Sequence, residues 1–238
     1  MTVLPTISFA KIAAPKKGTA VILAARDGKL PPLAAEIDPS GVLAKAIEIA
    51  KFKGKAKSVA DVVAPAGSPV DRIIVLGVGE GDSIKETDWA AFGGVVRGKT
   101  ASDQHVSVLM ECDGVDVTPE AAAAFAQGFL LRAYEFSKYK TKKSDDEDAK
   151  DKNVAQKTAL LVDTVPASKK AWETAEAVAR GIMLARDLVN EPANILGPVE
   201  FAARAEALSA LGVEVDMLTE KEMKKLGMGA LLGVAQGS

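Results

Sequence analysis

Continuous apolar runs alternate along the chain with segments in which apolar residues recur every three or four positions. The continuous runs predict buried strands of a sheet that is covered on both faces. They lie at residues 3–12, 19–25, 71–79, 106–110 and 159–163. The helical period predicts helices over residues 40–51, 83–100, 118–133 and 167–190. Strands alternating with helices predict an α/β fold with a mostly parallel or mixed sheet and helices on both faces.

Polar residues mark the predicted starts of several helices. Ser83 and Glu86 form a predicted capping box, in which a hydroxyl and a carboxylate each bind a free backbone amide. Thr118 is the predicted N-cap of the next helix. Thr219 and Glu222 predict a second capping box near the end of the sequence.

The last part of the sequence predicts an unfinished second domain. Pro192 ends the long helix, because proline lacks an amide donor and disfavours helix at the preceding residue. Pro198 begins another helix, predicted to reach about residue 211, and residues 212–218 predict a short strand. One strand leaves both of its edges unpaired, and no second long strand follows. We expect only the beginning of a domain here, the alternative being that residues 226–238 dock on the first unit.

Composition narrows the class of protein. Of the 238 residues, 48% are hydrophobic and 26% are charged, which is ordinary for a globular protein. The net charge of −2 carries no signal for nucleic acid. Neither a secretory signal nor an apolar stretch of membrane-spanning length is present, so we expect a cytoplasmic protein without a membrane partner.

A glycine turn is the first candidate for chemistry. Gly77-Val78-Gly79-Glu80-Gly81 follows a predicted strand and precedes a helix, which is the setting of a phosphate cradle. However, Asp82 occupies the third glycine position of a dinucleotide fingerprint, and no Gly-Lys-Ser/Thr follows. Because tight turns need glycine in any case, a purely structural role is favoured.

The other candidate groups are isolated. His105 is the only histidine, so a His-based zinc site is excluded unless carboxylates supply the remaining ligands. The sequence also places no partner for a Ser-His-Asp triad beside it. Cys112 is predicted to be a small buried residue. The neighbouring carboxylates of Glu111 and Asp113 would raise the pKa of its thiol. The charged run 138–152 could hold a metal through its carboxylates, but its mixed charge favours a solvated loop.

Three stretches resemble the leucyl aminopeptidase (cytosol aminopeptidase) family, in order and spacing. The first is residues 72–79 with the acidic turn and long helix that follow. The second, Phe129-Leu130-Leu131-Arg132-Ala133-Tyr134-Glu135-Phe136-Ser137-Lys138-Tyr139-Lys140, is similar to the family's Tyr-x-Phe-x-x-Tyr-Lys element. The third is residues 186–238, which begin Arg186-Asp187-Leu188-Val189-Asn190-Glu191-Pro192-Ala193-Asn194 and end Gln236-Gly237-Ser238. It resembles the entry into the catalytic domain.

The resemblance implies a macro-domain-like N-terminal α/β domain over residues 1–165, a connector helix over 166–190 and an incomplete catalytic α/β domain over 191–238. It implies that the complete protein is a cytoplasmic homohexamer that removes N-terminal residues, leucine especially, from peptides. Two divalent metal ions (zinc, manganese or magnesium) serve as its cofactors.

The same resemblance assigns no catalytic, metal-binding or substrate-binding residue to this chain. The family's metal ligands come from a Gly-Lys-Gly-x-x-x-Asp stretch and an Asn-Thr-Asp-Ala-Glu-Gly-Arg stretch, and neither occurs in the 238 residues. Arg186, Asn190 and Asn194 match family positions that we interpret as scaffolding, and the polar stretch 190–194 is interpreted as a helix stop. We therefore predict that the 238-residue chain alone is inactive and binds no catalytic metal.

Two other functions remain open. Macro-like domains can hold ligands of the ADP-ribose type, and some family members bind DNA through this domain, so a binding module is one alternative. The other is a structural module that spaces catalytic domains within an oligomer. The second is compatible with the aminopeptidase function.

Overall fold

The strands form one six-stranded sheet in the computed structural model, which describes residues 3–141 and 155–237. The strands are β1 (Thr6–Lys11), β2 (Thr19–Ala25), β3 (Val59–Val63), β4 (Arg72–Gly79), β5 (His105–Leu109) and β6 (Lys157–Val162). Their order is β1-β6-β5-β2-β4-β3, and all neighbours are parallel except β3, which is antiparallel to β4. The predicted α/β fold with a mixed sheet is confirmed.

Helices cover both faces of this sheet, as predicted. The covering helices are α1 (Ala34–Ile37), α2 (Val42–Ile49), α3 (Glu86–Lys99), α4 (Pro119–Arg132) and α5 (Val165–Asn190). Three more helices follow in the chain and contribute no residue to the core of the sheet, namely α6 (Pro198–Glu206), α7 (Glu220–Lys225) and α8 (Gly229–Ala235). One buried cluster joins Val21 of the sheet to Phe125 of α4 and Trp172 of α5. A second cluster joins Ile22 to Ile37 of α1 on the opposite face. Successive residues of β2 therefore point into different cores, which is why its apolar run is continuous.

Two of the predicted helix starts are confirmed. The Thr118 hydroxyl accepts a hydrogen bond from the Ala121 amide at 3.1 Å and caps α4. At α7 the Thr219 hydroxyl accepts from the Glu222 amide at 3.4 Å, while the Glu222 carboxylate accepts from the Thr219 amide at 2.7 Å. Both caps bind amides that the first helical turn leaves without a partner.

The predicted capping box of Ser83 and Glu86 is wrong. Ser83 lies in a 3₁₀ turn, where its hydroxyl donates to the carbonyl of Glu80 at 3.0 Å. Helix α3 begins only at Glu86, so Asp88 occupies the third helical position and its carboxylate accepts from the Lys85 amide at 3.0 Å. The same physical requirement is met two residues further along the chain.

The predicted strand over residues 212–218 is also wrong. These residues have no regular secondary structure, and every described strand ends at or before Val162. A strand needs a partner for its backbone groups, and the described residues offer none nearby in sequence. The helix that begins at Pro198 ends at Glu206 and continues as a 3₁₀ turn, Ala207–Leu211.

Helix α5 buries a different face from the one that the sequence predicts. The three- and four-residue spacing of apolar residues in the sequence predicts a buried stripe formed by residues 172, 175, 178, 182, 185 and 189. Trp172 is buried, but Val178 and Ile182 are 49% and 39% exposed. The residues that join Trp172 in the core are Ala179 and Met183. Positions 172, 179 and 183 are seven and four apart, so they share one side of the helix.

Two compact units emerge from the pattern of contacts, Met1–Leu184 and Ala185–Ser238. Every residue of the two core clusters lies at or before Met183. Among the described residues from 185 to 237, none is buried. The hydrophobic core thus belongs to the first unit alone.

Candidate functional site

The carboxyl ends of β2 and β5 are the position at which a ligand site is first expected. The chain leaves β2 through α1 and α2 towards β3 and β4, and it leaves β5 through α4 in the opposite direction, towards β6. In open α/β sheets, ligands bind in the crevice where neighbouring strands diverge in this way. The loops that border the crevice begin at Arg26 and at Met110.

Charged side chains at this edge pair with one another. The Lys29 ammonium lies 3.2 Å from a carboxylate oxygen of Asp113, which links the loop after β2 to the loop after β5. That hydrogen bond raises the pKa of Lys29. Arg26 pairs with Glu80 from the loop after β4. Both cations are therefore neutralised by neighbouring carboxylates, which disfavours an anionic ligand here.

The glycine turn at the end of β4 is filled by the protein's own backbone. A Cβ on Gly77 would clash with the carbonyl of Lys55 and with Ser58, and the Gly77 amide donates to the Ser58 carbonyl at 2.8 Å. Gly79 has a φ of +82°, and a Cβ there would press on Ala56. The glycines allow segment 54–58 to approach closely, which supports the structural interpretation over a phosphate cradle.

Cys112 is buried after β5, as predicted, with 6% of its surface exposed. Burial raises the pKa of the Cys112 thiol to about 11, with smaller contributions from the carboxylates of Asp113 and Asp27. Because the thiolate is the nucleophile, such a thiol is a poor candidate for covalent catalysis at neutral pH.

Alkylation of Cys112 by iodoacetamide at pH 7.5 is expected to be at least about a hundredfold slower than alkylation of an unperturbed thiol with a pKa near 8.5. The reason is the small thiolate fraction of a group whose pKa is about 11. Intact mass against time measures the rate without ambiguity, since the sequence has one cysteine. The chain unfolded in guanidinium is the control, and equal rates in the folded and unfolded chain would contradict the burial.

An ion cluster around Arg72 occupies the amino edge of the sheet. The Arg72 Nε–H donates to Asp61 at 2.9 Å, and its Nη1 donates to a carboxylate oxygen of Asp103 at 3.1 Å. The same oxygen accepts from the Thr19 hydroxyl at 2.7 Å. The sequence carries no motif for this cluster, because its members are far apart in the chain. The cluster ties the starts of β2 and β4 to the middle of β3.

His105 lies at the same edge, between two shallow hollows of about 360 and 430 Å³. Lys17 lines both hollows beside it. Of the carboxylates in the second hollow, Asp71 accepts from the Gly18 amide at 3.0 Å, and Asp103 is bound to the Arg72 cluster. The histidine of a Ser-His-Asp triad instead has a carboxylate dedicated to orienting it. We assign no catalytic role to His105.

The polar stretch 190–194 is a helix end followed by a turn. Asn190 is the last residue of α5, and the Ile195 amide donates to the Pro192 carbonyl at 2.9 Å. The Glu191 carboxylate lies 3.8 Å from the Arg204 guanidinium of α6. Helix α5 ends at Asn190, before Pro192, as the interpretation of the stretch as a helix stop predicts.

The stretch after α4 places aromatic and charged side chains together. The rings of Phe136 and Tyr139 lie 5.8 Å apart, and the Lys138 ammonium lies 5.2 Å from the centre of the Tyr139 ring. The Lys140 ammonium lies 3.2 Å from the Glu135 carboxylate. Most of the charged run 138–152, predicted to be a loop, lies outside the described residues, which stop at 141 and resume at 155.

The residues that the structure describes offer no cluster that fits a two-metal site. Across residues 3–141 and 155–237, no group of three or more His, Cys, Asp or Glu side chains is placed to hold a metal ion. The described part of the chain also contains no helix that is both long and apolar enough to cross a membrane.

Two protein-family models match the sequence. The model of the cytosol aminopeptidase family N-terminal domain matches residues 21–143, and that of the catalytic domain of the same family matches residues 183–238. A probable cytosol aminopeptidase of Rhizobium meliloti (strain 1021) is 55% identical over 232 residues, which are 97% of this chain and 46% of the relative. One from Sinorhizobium medicae (strain WSM419) is 55% identical over 231 residues, with the same coverage. The chain thus spans a little under half the length of these curated relatives.

Solved structures have the same fold. A mutant of tomato leucine aminopeptidase superposes with a TM-score of 0.75 at 21% identity, covering 94% of this chain and 46% of that one. The bottromycin maturation enzyme BotP in complex with Mn gives a TM-score of 0.63 at 20% identity, covering 87% of this chain and 40% of that one.

Proposed function

Because this chain belongs to the cytosol aminopeptidase family, we propose that the whole protein is a metal-dependent aminopeptidase. It removes N-terminal residues from peptides, with leucine preferred. The observation that carries this proposal is the 55% identity to a probable cytosol aminopeptidase over 97% of the chain.

The chain contributes the non-catalytic part of that enzyme together with the first part of its catalytic domain. Support comes from the catalytic-domain match, which begins at residue 183 near the end of α5. It also comes from the curated relatives, which are about twice as long as the matched region. We divide the chain into a macro-domain-like N-terminal domain (1–165), a connector helix (166–190) and the start of the catalytic domain (191–238).

Two divalent metal ions (manganese, zinc or magnesium) are the proposed cofactors of the whole protein. The structural relative solved with Mn supports a divalent metal. No residue of this chain is proposed as a ligand, because the described side chains form no suitable cluster. A cytoplasmic location and a homohexameric assembly complete the proposal, and the relatives' designation as cytosol aminopeptidases supports the location.

The alternative function as a binding module has little support. At the carboxyl edge of the sheet, Lys29 and Arg26 are paired with acids, and the glycine turn is packed against segment 54–58. Neither feature favours a ligand of the ADP-ribose type, whose phosphates need unpaired donors.

The whole protein is expected to hydrolyse leucine p-nitroanilide in the presence of Mn²⁺, Zn²⁺ or Mg²⁺ and to lose that activity when a chelator removes the metal. Release of nitroaniline, followed by absorbance, measures the rate. N-acetyl-leucine p-nitroanilide is the control, since an aminopeptidase requires a free amino group. Residues 1–238 alone should be inactive. Failure to cleave any unblocked aminoacyl substrate with all three metals would refute the proposal.

A further inference from the structure

Three neighbouring strands form an open shelf at the amino edge of the sheet. Ser8 of β1 and Ser107 of β5 are each in register with Ala159 of β6, so these small residues form one row across three strands. Side chains alternate along a strand, and Leu109 and Leu161, two positions further on, belong to the core cluster that α1 and α2 cover. The row therefore lies on that face, and it lines the first hollow, of about 360 Å³.

Lysine side chains border the open shelf. Lys157 lies two positions before the row on β6 and is in register with His105 of β5. Lys16 and Lys17 come from the turn between β1 and β2, and all four residues line the first hollow. No carboxylate belongs to this lining as the structure describes it. Within residues 3–141 and 155–237, no acid pairs with any of the three lysines. The hollow thus carries uncompensated positive charge.

The second hollow, of about 430 Å³, differs in its charges. Asp71 and Asp103 line it together with Arg72, whose Nη1 donates to an Asp103 oxygen at 3.1 Å. Its cation is therefore neutralised by the protein's own carboxylates. Lys17 lines both hollows, but the excess of lysine lies in the first. An anion should therefore prefer the first hollow.

The turn that carries Lys16 and Lys17 is held in place. The Asp71 amide donates to the Gly18 carbonyl at 2.8 Å, and the Gly18 amide donates to the Asp71 carboxylate at 3.0 Å. Gly18 has a φ of +70°, and a Cβ there would lie 2.5 Å from the carbonyl oxygen of His105. The backbone of the turn is thus fixed against the start of β5, which lowers the entropic cost of gathering the lysines around a ligand.

We propose that the open shelf binds a diphosphate group, either as free pyrophosphate or as the diphosphate of a small ester. Lysine ammonium groups bind phosphate oxygens as point charges, and three of them surround this hollow. Neighbouring strands lie about 4.8 Å apart, so a floor of three strands is about 10 Å wide and can hold two phosphate groups side by side. The site lies in the first unit and does not depend on the proposed function.

Neutral donors on the floor complete the site. The Ser107 hydroxyl and a ring N–H of His105 can each donate to a phosphate oxygen. The Ser8 hydroxyl already donates to the Thr158 carbonyl at 3.2 Å, so it contributes shape rather than a donor. Ala159 keeps the centre of the floor low, because its side chain is a single methyl group.

Calorimetric titration of the 238-residue chain with sodium pyrophosphate at pH 7.5 tests the site. Divalent metals are left out because they would complex the probe, so the result is independent of any peptidase activity. We expect one saturable site with a Kd below about 1 mM that weakens as salt is added. Succinate is the matched dianion without phosphate and should bind at least about tenfold more weakly. Uridine diphosphate distinguishes an ester from the free anion.

Lys157→Glu should weaken pyrophosphate binding by about tenfold or more, because it replaces a cation of the site by an anion. Lys170→Glu is the matched control, since it changes the net charge equally. Lys170 is exposed near the start of α5, which follows the carboxyl end of β6 and so lies at the opposite edge of the sheet. Its binding should stay within about twofold of wild type.

Ser107→Leu tests the floor without changing any charge. The larger side chain should fill part of the hollow and weaken binding by about tenfold, whereas diffuse attraction to lysines would be unaffected. The thermal midpoint without ligand shows whether each variant is folded.

The outcomes decide between a site and a charged surface. Binding of pyrophosphate that Lys157→Glu and Ser107→Leu weaken supports the site, and binding of uridine diphosphate as well identifies an ester as the ligand. Equal effects of Lys157→Glu and Lys170→Glu would overturn the site, since the attraction is then diffuse. Equal affinity for succinate would overturn the diphosphate. Absence of saturable binding of either diphosphate at about 10 mM would overturn the proposal as a whole.

Discussion

Replacing Gly128 by alanine is expected to lower the free energy of unfolding by about 3 kcal/mol, because the added methyl group meets backbone and cannot rotate away. A Cβ at Gly128 on α4 would clash with the carbonyl of Ala90 on α3. Gly93 makes the reciprocal approach to the carbonyl of Phe125. Thermal unfolding followed by circular dichroism should show a midpoint about 10 °C lower.

Gly98→Ala is the matched control on α3. Gly98 also lies within a helix, but nothing is within 4 Å of the position that its Cβ would take. There alanine should stabilise the protein by about 0.5–1 kcal/mol, through the lower conformational entropy of the unfolded chain. Equal effects of the two substitutions would contradict close packing of α3 on α4.

Replacing Arg72 by methionine is expected to cost about 2 kcal/mol, because it leaves two partly buried carboxylates without their cation. Arg72 and Asp103 side chains are 20% and 17% exposed, so water compensates only in part for the lost hydrogen bonds. Urea unfolding at pH 7 measures the change. Arg26→Met is the control, since Arg26 and its partner Glu80 are 70% and 58% exposed and their pairing contributes little.

The same substitution should change the pH dependence of stability. The hydrogen bond with Arg72 holds the pKa of Asp61 below its ordinary value. A carboxyl group with a lowered folded pKa contributes stability above its unfolded pKa of about 4, and the contribution is lost as the pH falls through the folded value. The difference in free energy of unfolding between wild type and Arg72→Met should therefore shrink below about pH 4. A difference that stays constant from pH 7 to pH 3 would contradict the pairing.

Features with a local cause could be predicted from the sequence. The bounds of β2 follow from its run of apolar residues, and the N-cap at Thr118 follows from one hydroxyl placed before a proline. The family could be recognised from the sequence for a similar reason, since its motifs are contiguous stretches such as residues 186–194. Short elements with a weak pattern were missed, such as the edge strand β3, which has the charged Asp61 at its centre.

Of the features considered as a candidate site, one had a local signal in the sequence and another had none. The imperfect motif of the glycine turn at Gly77 already favoured a packing role over phosphate binding. The structure gives the physical reason, since segment 54–58 packs so closely on the turn that a Cβ at Gly77 would clash with it. The Arg72 cluster had no such signal, because Asp61 and Asp103 lie 11 and 31 positions from Arg72. Pairing at that separation depends on which strands become neighbours.

By itself, therefore, the sequence determined the α/β class, most helices and strands, and the family. Tertiary structure alone decided which apolar residues are buried. Helix α5 has apolar residues on more than one side, and only docking on the sheet selected Ala179 and Met183 over Val178 and Ile182. Residues 212–218 likewise alternate as a strand does, but have no described partner. Periodicity is a property of one segment, whereas burial and strand pairing are properties of two surfaces that meet.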